Sequence, residues 1–146
     1  MTKKVTVTKK FEFCYAHYLT NYDGKCQKIH GHNSTLEVEV ARSPHDCSND
    51  GMVMDFSDIK KNMEPIIEML DHSFINHLEE WNKWSRRHGT PLQSGGEGDM
   101  RATAENIIFF ILDMLHEHHT GFWEKVVRIR LYETNDSYAE VEKEHV

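Results

Sequence analysis

The chain reads as an α+β fold: an antiparallel four-stranded sheet with two helices on one face, in the order strand, strand, helix, helix, strand, strand. Three observations predict it. Two N-terminal stretches alternate apolar and polar residues with a period of two. Two central stretches carry apolar residues at helical spacing, and two short alternating stretches close the chain around Asn135-Asp136.

The first strand runs from Val5 to Tyr15, with Val5, Val7, Phe11 and Phe13 on one parity and Thr6, Thr8, Lys10 and Glu12 on the other. The second runs from Ser34 to Ala41, where Leu36, Val38 and Val40 alternate with Thr35, Glu37 and Glu39. A hairpin of the two, closed symmetrically, places Phe13 near Leu36, Phe11 near Val38 and His17 opposite His32. His17 shares the parity of Phe13, and His30 and His32 share that of Leu36. The three imidazoles therefore project from one face.

Ser57 reads as the N-cap of a helix carrying Ile59, Met63, Ile66, Ile67 and Leu70, with Pro65 marking a kink or a later start. Thr103 caps a second helix carrying Ile107, Ile108, Ile111, Leu112 and Leu115, expected to end near Gly121. The last strands span Val126 to Glu133 and Ser137 to Val141. Glu133 continues the apolar parity of Ile129 and Leu131; a carboxylate there is either a ligand anchor or a strand end that reaches water. The opposite face, with Val126 and Tyr132, calls for cover by a second copy.

At 146 residues the chain is expected to form one domain, residues 1–146, with a long Gly-containing loop from Ser85 to Arg101. A net charge of -7, from 17 basic and 24 acidic residues, excludes a general nucleic-acid surface. No run approaches the ~20 apolar residues of a membrane span, and no apolar core of signal-peptide length opens the chain, so it reads as cytoplasmic. Cys14, Cys26 and Cys47 are an odd, scattered set, which disfavours a disulfide framework. Cys14 reads as a packed small hydrophobe and Cys47 as a loop thiol. His116, His118 and His119 read as a solvated helix end, and Trp81 with Trp84 as packing or interface residues.

Chemistry concentrates in Cys26-Gln27-Lys28-Ile29-His30-Gly31-His32 and in His17. Three neutral imidazoles around one open position suit a catalytic zinc ion, with Cys26 beside it. A closed structural site with Cys26 as fourth ligand uses the same residues.

Phe13-Cys14-Tyr15-Ala16-His17, Cys26 through Asn33, Gly51-Met52-Val53-Met54-Asp55-Phe56, Leu70-Asp71-His72, Thr103-Ala104-Glu105-Asn106 and Tyr132-Glu133-Thr134 occur in this order. Together they resemble the 6-pyruvoyl-tetrahydropterin synthase superfamily, and within it the 6-carboxy-5,6,7,8-tetrahydropterin synthase branch of queuosine and 7-deazaguanine biosynthesis. The resemblance implies a tunnelling fold, a homohexamer built as a dimer of trimers with active sites between subunits, and 7,8-dihydroneopterin triphosphate as substrate. It implies Zn2+ on His17, His30 and His32 and a proton-transfer role for Cys26, aided by Asp71 and His72. It also implies pterin binding by Glu133, with Thr103 and Glu105 at the helix start. Ala102 stands where many members carry proline.

Within the superfamily, the gap between the cysteine and the His-Gly-His selects the branch. Three residues, as between Cys26 and His30, is usual for the carboxy branch, which releases acetaldehyde and triphosphate. Five is usual for the pyruvoyl branch. The pyruvoyl reaction and a non-catalytic zinc and pterin binding module are the alternative readings.

Overall fold

The computed structural model describes residues 4–20, 22–42, 50–91 and 98–143. Cys47 and residues 92–97 of the expected long loop lie outside the described residues.

Strand β1 (Thr6–His17) and strand β2 (His30–Ala41) form the expected hairpin, each longer than its alternation alone indicated. The pairing is Phe11 with Leu36, Tyr15 with His32 and His17 with His30, two residues away from the symmetric closure. A slip of two preserves parity, so the three histidines still share the face of Phe13 and Leu36. The intervening segment carries a short 3₁₀ turn, Lys25–Gln27, and is drawn together where Leu19 N–H donates to the Cys26 carbonyl at 2.8 Å.

Helix α1 (Phe56–Leu70) is capped two residues before the expected position: Asp55 Oδ1 accepts from Ser57 N–H and from the Ser57 hydroxyl, each at 2.8 Å. Pro65 lies inside it without ending it. The ring sits on the exposed side, while Ile59, Met63, Ile66 and Leu70 face the core.

The chain then turns at His72, which has a positive φ of 59°, into a two-residue strand, β3 (Ser73–Phe74), parallel to β1 beside Tyr15 and Ala16. The alternation signal cannot reveal so short a strand. A second unexpected element, helix α2 (Glu79–His88), runs with its last turn into the start of the expected loop and buries Trp81, Trp84 and Ser85. Two short strands follow, β4 (Thr90–Pro91) and β5 (Gly98–Asp99), paired only with each other.

Thr103 Oγ1 accepts from Asn106 N–H and caps helix α3 (Ala104–His118) as expected. Gly121 does not end that helix but lies within a further short one, α4 (Thr120–Lys125). Strands β6 (Val126–Thr134) and β7 (Ser137–Glu142) complete a sheet of order β3-β1-β2-β6-β7. Among the described residues the sheet is therefore mixed and five-stranded, with four α-helices, where the sequence indicated four antiparallel strands and two helices.

One cluster joins the sheet's inner face (Phe13, Leu36, Val38, Ile129, Leu131) to Ile59, Met63 and Leu70 of α1 and to Ile107, Ile111 and Leu115 of α3. Val126 belongs to this core too, contrary to its parity, because a bulge between Glu39 and Val40 pairs Val40 with Val126 and leaves Val127 as the extra residue.

The other face is charged rather than apolar. Lys10, Glu37, Arg130 and Glu140 stand side by side across four strands with alternating sign, and Arg128 pairs with Glu39 at 2.6 Å. Cys14 lies on this face, its Sγ 2.9 Å from Asn33 Oδ1, and is not the packed residue expected from sequence.

Candidate active site

The hairpin register carries His17, His30 and His32 to the open end of the inner face. Their candidate ligand atoms all lie within 4.8 Å of one another, and among the described residues they form the group able to hold a metal ion. Cys26, in the 3₁₀ turn, is half-buried and does not join that group. Three ligands with a fourth position open is the arrangement of a catalytic rather than a closed structural site.

The polar partners of these rings fit a metal. His17 Nδ1–H donates to the Ala102 carbonyl at 2.6 Å and His30 Nδ1–H to the Lys28 carbonyl at 2.7 Å, which leaves both Nε2 lone pairs free. His17 Nε2 and His32 Nε2 are 3.0 Å apart, close to the roughly 3.3 Å between two nitrogens on one tetrahedral zinc. Burial pushes the His17 pKa below the ordinary imidazole value, against the opposing pull of the Ala102 carbonyl and of Glu133. The ring is therefore kept neutral, as a ligand must be.

Ala102, where the resemblance leads one to expect proline, is buried and supplies the carbonyl that orients His17. The segment bearing it is held by α2 and by the chain after β1: Met100 N–H donates to Ser85 Oγ at 2.6 Å, and the Thr20 hydroxyl donates to Asp99 Oδ2 at 2.8 Å.

Glu133 sits beside the histidines, its Oε1 3.9 Å from His17 Nε2 and 2.8 Å from the Tyr15 hydroxyl, which donates to it. A bulge explains how a carboxylate ends this apolar row. Tyr132 pairs with Tyr138 and Thr134 with Ser137, so Glu133 is the extra residue and its side chain is released from the ladder. Burial first, then the Glu133 charge, pushes the Tyr15 pKa far up and keeps the phenol a donor. Glu105 and Glu133 line a common cavity of about 180 Å³ with Leu131 and Tyr138. The Thr103 hydroxyl is engaged in capping α3.

Asp71 and His72 lie at the outer edge of β1. Asp71 Oδ1 accepts from Cys14 N–H at 2.9 Å and lies 3.0 Å from His72 Nδ1, while His72 N–H donates to the Cys14 carbonyl. The Cys14 amide, with His72 as a lesser contributor, holds the Asp71 carboxyl below the usual range. His72 opens onto a cleft of about 340 Å³ lined also by Cys14, Asn33 and His32. Among the described residues no hydrogen bond joins Cys26 to Asp71 or His72 within the chain.

Tyr15 is the participant that sequence reasoning passed over, although its polar tip on the parity of Phe13 and His17 was visible. The Ala102 and Lys28 carbonyls left no signal, since any residue offers one. His116 packs on the Trp123 ring, 4.6 Å between centroids, and with His118 and His119 forms no metal group among the described residues. Trp81 and Trp84 are buried packing residues.

A mixed sheet backed by helices carries three convergent histidines at the mouth of its first hairpin and a bulged carboxylate beside them, a site able to hold a metal ion. The chain belongs to the 6-pyruvoyl tetrahydropterin synthase family, whose model matches residues 6–144. Among its relatives is the 6-carboxy-5,6,7,8-tetrahydropterin synthase of Haemophilus influenzae, 34% identical over 94% of this chain and 98% of that one. The protein of that name from Rickettsia felis is 30% identical over 94% of this chain and 99% of its own. In fold, the chain is similar to the Caenorhabditis elegans 6-pyruvoyl tetrahydropterin synthase, with a TM-score of 0.73, 20% identity and 97% of each chain covered.

Proposed function

We propose that the protein is a zinc-dependent 6-carboxy-5,6,7,8-tetrahydropterin synthase, converting 7,8-dihydroneopterin triphosphate to the carboxy pterin, acetaldehyde and triphosphate on the way to a 7-deazaguanine such as queuosine. The observation that carries this reading is the convergence of His17, His30 and His32 with Glu133 at one end of the sheet, Cys26 standing clear of the three ligands. The relatives that cover nearly the whole chain carry the carboxy name.

His17, His30 and His32 hold the metal, which when bound supplies Lewis acidity to the oxygens of the substrate side chain. Glu133 accepts hydrogen bonds from the two-donor edge of the pterin and orients it, with Glu105 on the same cavity. Cys26 moves the proton at the side-chain carbons, and the Asp71-His72 pair serves as its acid-base partner. Asp71 fixes the His72 ring through Nδ1, leaving Nε2 to exchange the proton.

Asp71 and His72 are tied to the C-terminal end of β1 at Cys14, and Cys26 lies in the loop that follows that same end, yet no hydrogen bond joins them among the described residues; in this reading Cys26 of one copy is completed by Asp71-His72 of its neighbour. A homohexamer of two trimers is the assembly this requires in the proposal.

Comparing Cys26→Ala with the unaltered chain tests the assignment. Zinc content and neopterin binding are expected to be retained while triphosphate release falls by about 100-fold or more. Loss of zinc together with the fold would point instead to the closed structural site.

A further inference from the structure

We propose that Tyr15 is a positioning residue for the pterin: its hydroxyl holds Glu133 in the orientation that receives the ring's two-donor edge. This rests on the pterin-binding reading of Glu133.

Tyr15 is buried, 3% exposed, and its ring is wedged against two of the three histidines, with centroids 5.1 Å from His17 and 5.6 Å from His32. A ring held on both sides leaves the phenol oxygen one place to be. That place is 2.8 Å from Glu133 Oε1.

Glu133 needs such a partner. As the extra residue of a bulge it lacks a β7 partner, and its side chain is 28% exposed at the mouth of the cavity. A glutamate left free would give up its rotamer freedom on binding; one already held by Tyr15 has lost it in advance. An ionised carboxylate accepts about four hydrogen bonds, so the phenol takes one and leaves both oxygens open to a ligand with two parallel donors. Packing of the row calls for an aromatic ring at this position and gives no reason for the hydroxyl. The contact with Glu133 supplies the reason.

Tyr15→Phe keeps the ring against His17 and His32 and removes only the donor. With the full zinc-loaded chain, KM for 7,8-dihydroneopterin triphosphate is expected to rise about tenfold and kcat to change less than about twofold, the pattern of lost uniform binding. Zinc affinity, measured by chelator competition, stays as in the unaltered protein. Neopterin binding followed by fluorescence supplies the second readout: Tyr15→Phe weakens it about tenfold in the native background and less than about twofold in a Glu133→Ala background.

An unchanged KM in Tyr15→Phe, or an equal loss with and without Glu133, would overturn the proposal. If the unaltered protein neither turns over the triphosphate nor binds neopterin, the pterin reading itself falls and this proposal with it. Normal turnover with an indifferent Tyr15→Phe removes the positioning role alone.

Discussion

In the proposed reading the site divides into residues that hold a metal and residues that move protons, and single substitutions separate them. His17→Ala deletes a proposed ligand whose other nitrogen is already fixed by Ala102; zinc affinity should fall by more than about 100-fold, read by competition with a chromogenic chelator. Asp71 offers a different test, through pH. Its carboxyl is lowered in the folded chain, chiefly by the Cys14 amide, so the stability it contributes is present at neutral pH, above the unfolded value of about 3.9. It is lost as pH falls through the lowered folded value. Asp71→Asn should therefore flatten that part of the acid limb of a urea-midpoint against pH curve while leaving the metal site loaded. At this scale the histidines were legible because parity alone aligned them. The Asp71 contact to Cys14 was not, since it depends on the left-handed turn at His72 and the short strand after it.

Among elements, the hairpin shows why a register error was harmless: the slip was even, and only an odd one would have turned His30 and His32 to the opposite face from His17. Helix α2 escaped notice for a physical reason. Ten residues with Trp81, Trp84 and Ser85 as the buried face give a narrow apolar stripe among charges, and Gly89 with Pro91 beside it reads as loop. Its anchor is concrete: Trp84 is 2% exposed and donates from Nε1 to Asp113 Oδ2 at 2.7 Å. Trp84→Ala should lower the unfolding free energy by about 3–5 kcal/mol in urea titration, and Trp84→Phe by less. Because Ser85 on this helix holds Met100, loosening α2 should also weaken zinc binding through Ala102 and His17. Pro65 makes the opposite prediction. It sits exposed in mid-helix without an amide to give, and Pro65→Ala should raise stability by about 2 kcal/mol.

On the scale of the whole molecule, the sheet's outer face corrects the expectation of an apolar surface awaiting cover. The row Lys10, Glu37, Arg130, Glu140 satisfies itself across four strands, so this face does not call for apolar cover. Arg130→Met should leave the urea midpoint nearly unchanged, because these groups keep contact with water. No helix among the described residues is long and apolar enough to cross a membrane. What joins copies in the proposal is chemistry divided between them, with Cys26 from one copy and Asp71-His72 from its neighbour, and a Cys26→Ala chain mixed with a His72→Ala chain should regain part of the activity that each lacks.

The central claim concerns the reaction, and the products of one incubation test it most directly. Zinc-loaded protein given 7,8-dihydroneopterin triphosphate should release triphosphate and acetaldehyde in equal amounts and leave a 6-carboxy pterin. Triphosphate with a pyruvoyl pterin and no acetaldehyde, or substrate recovered intact, would contradict it.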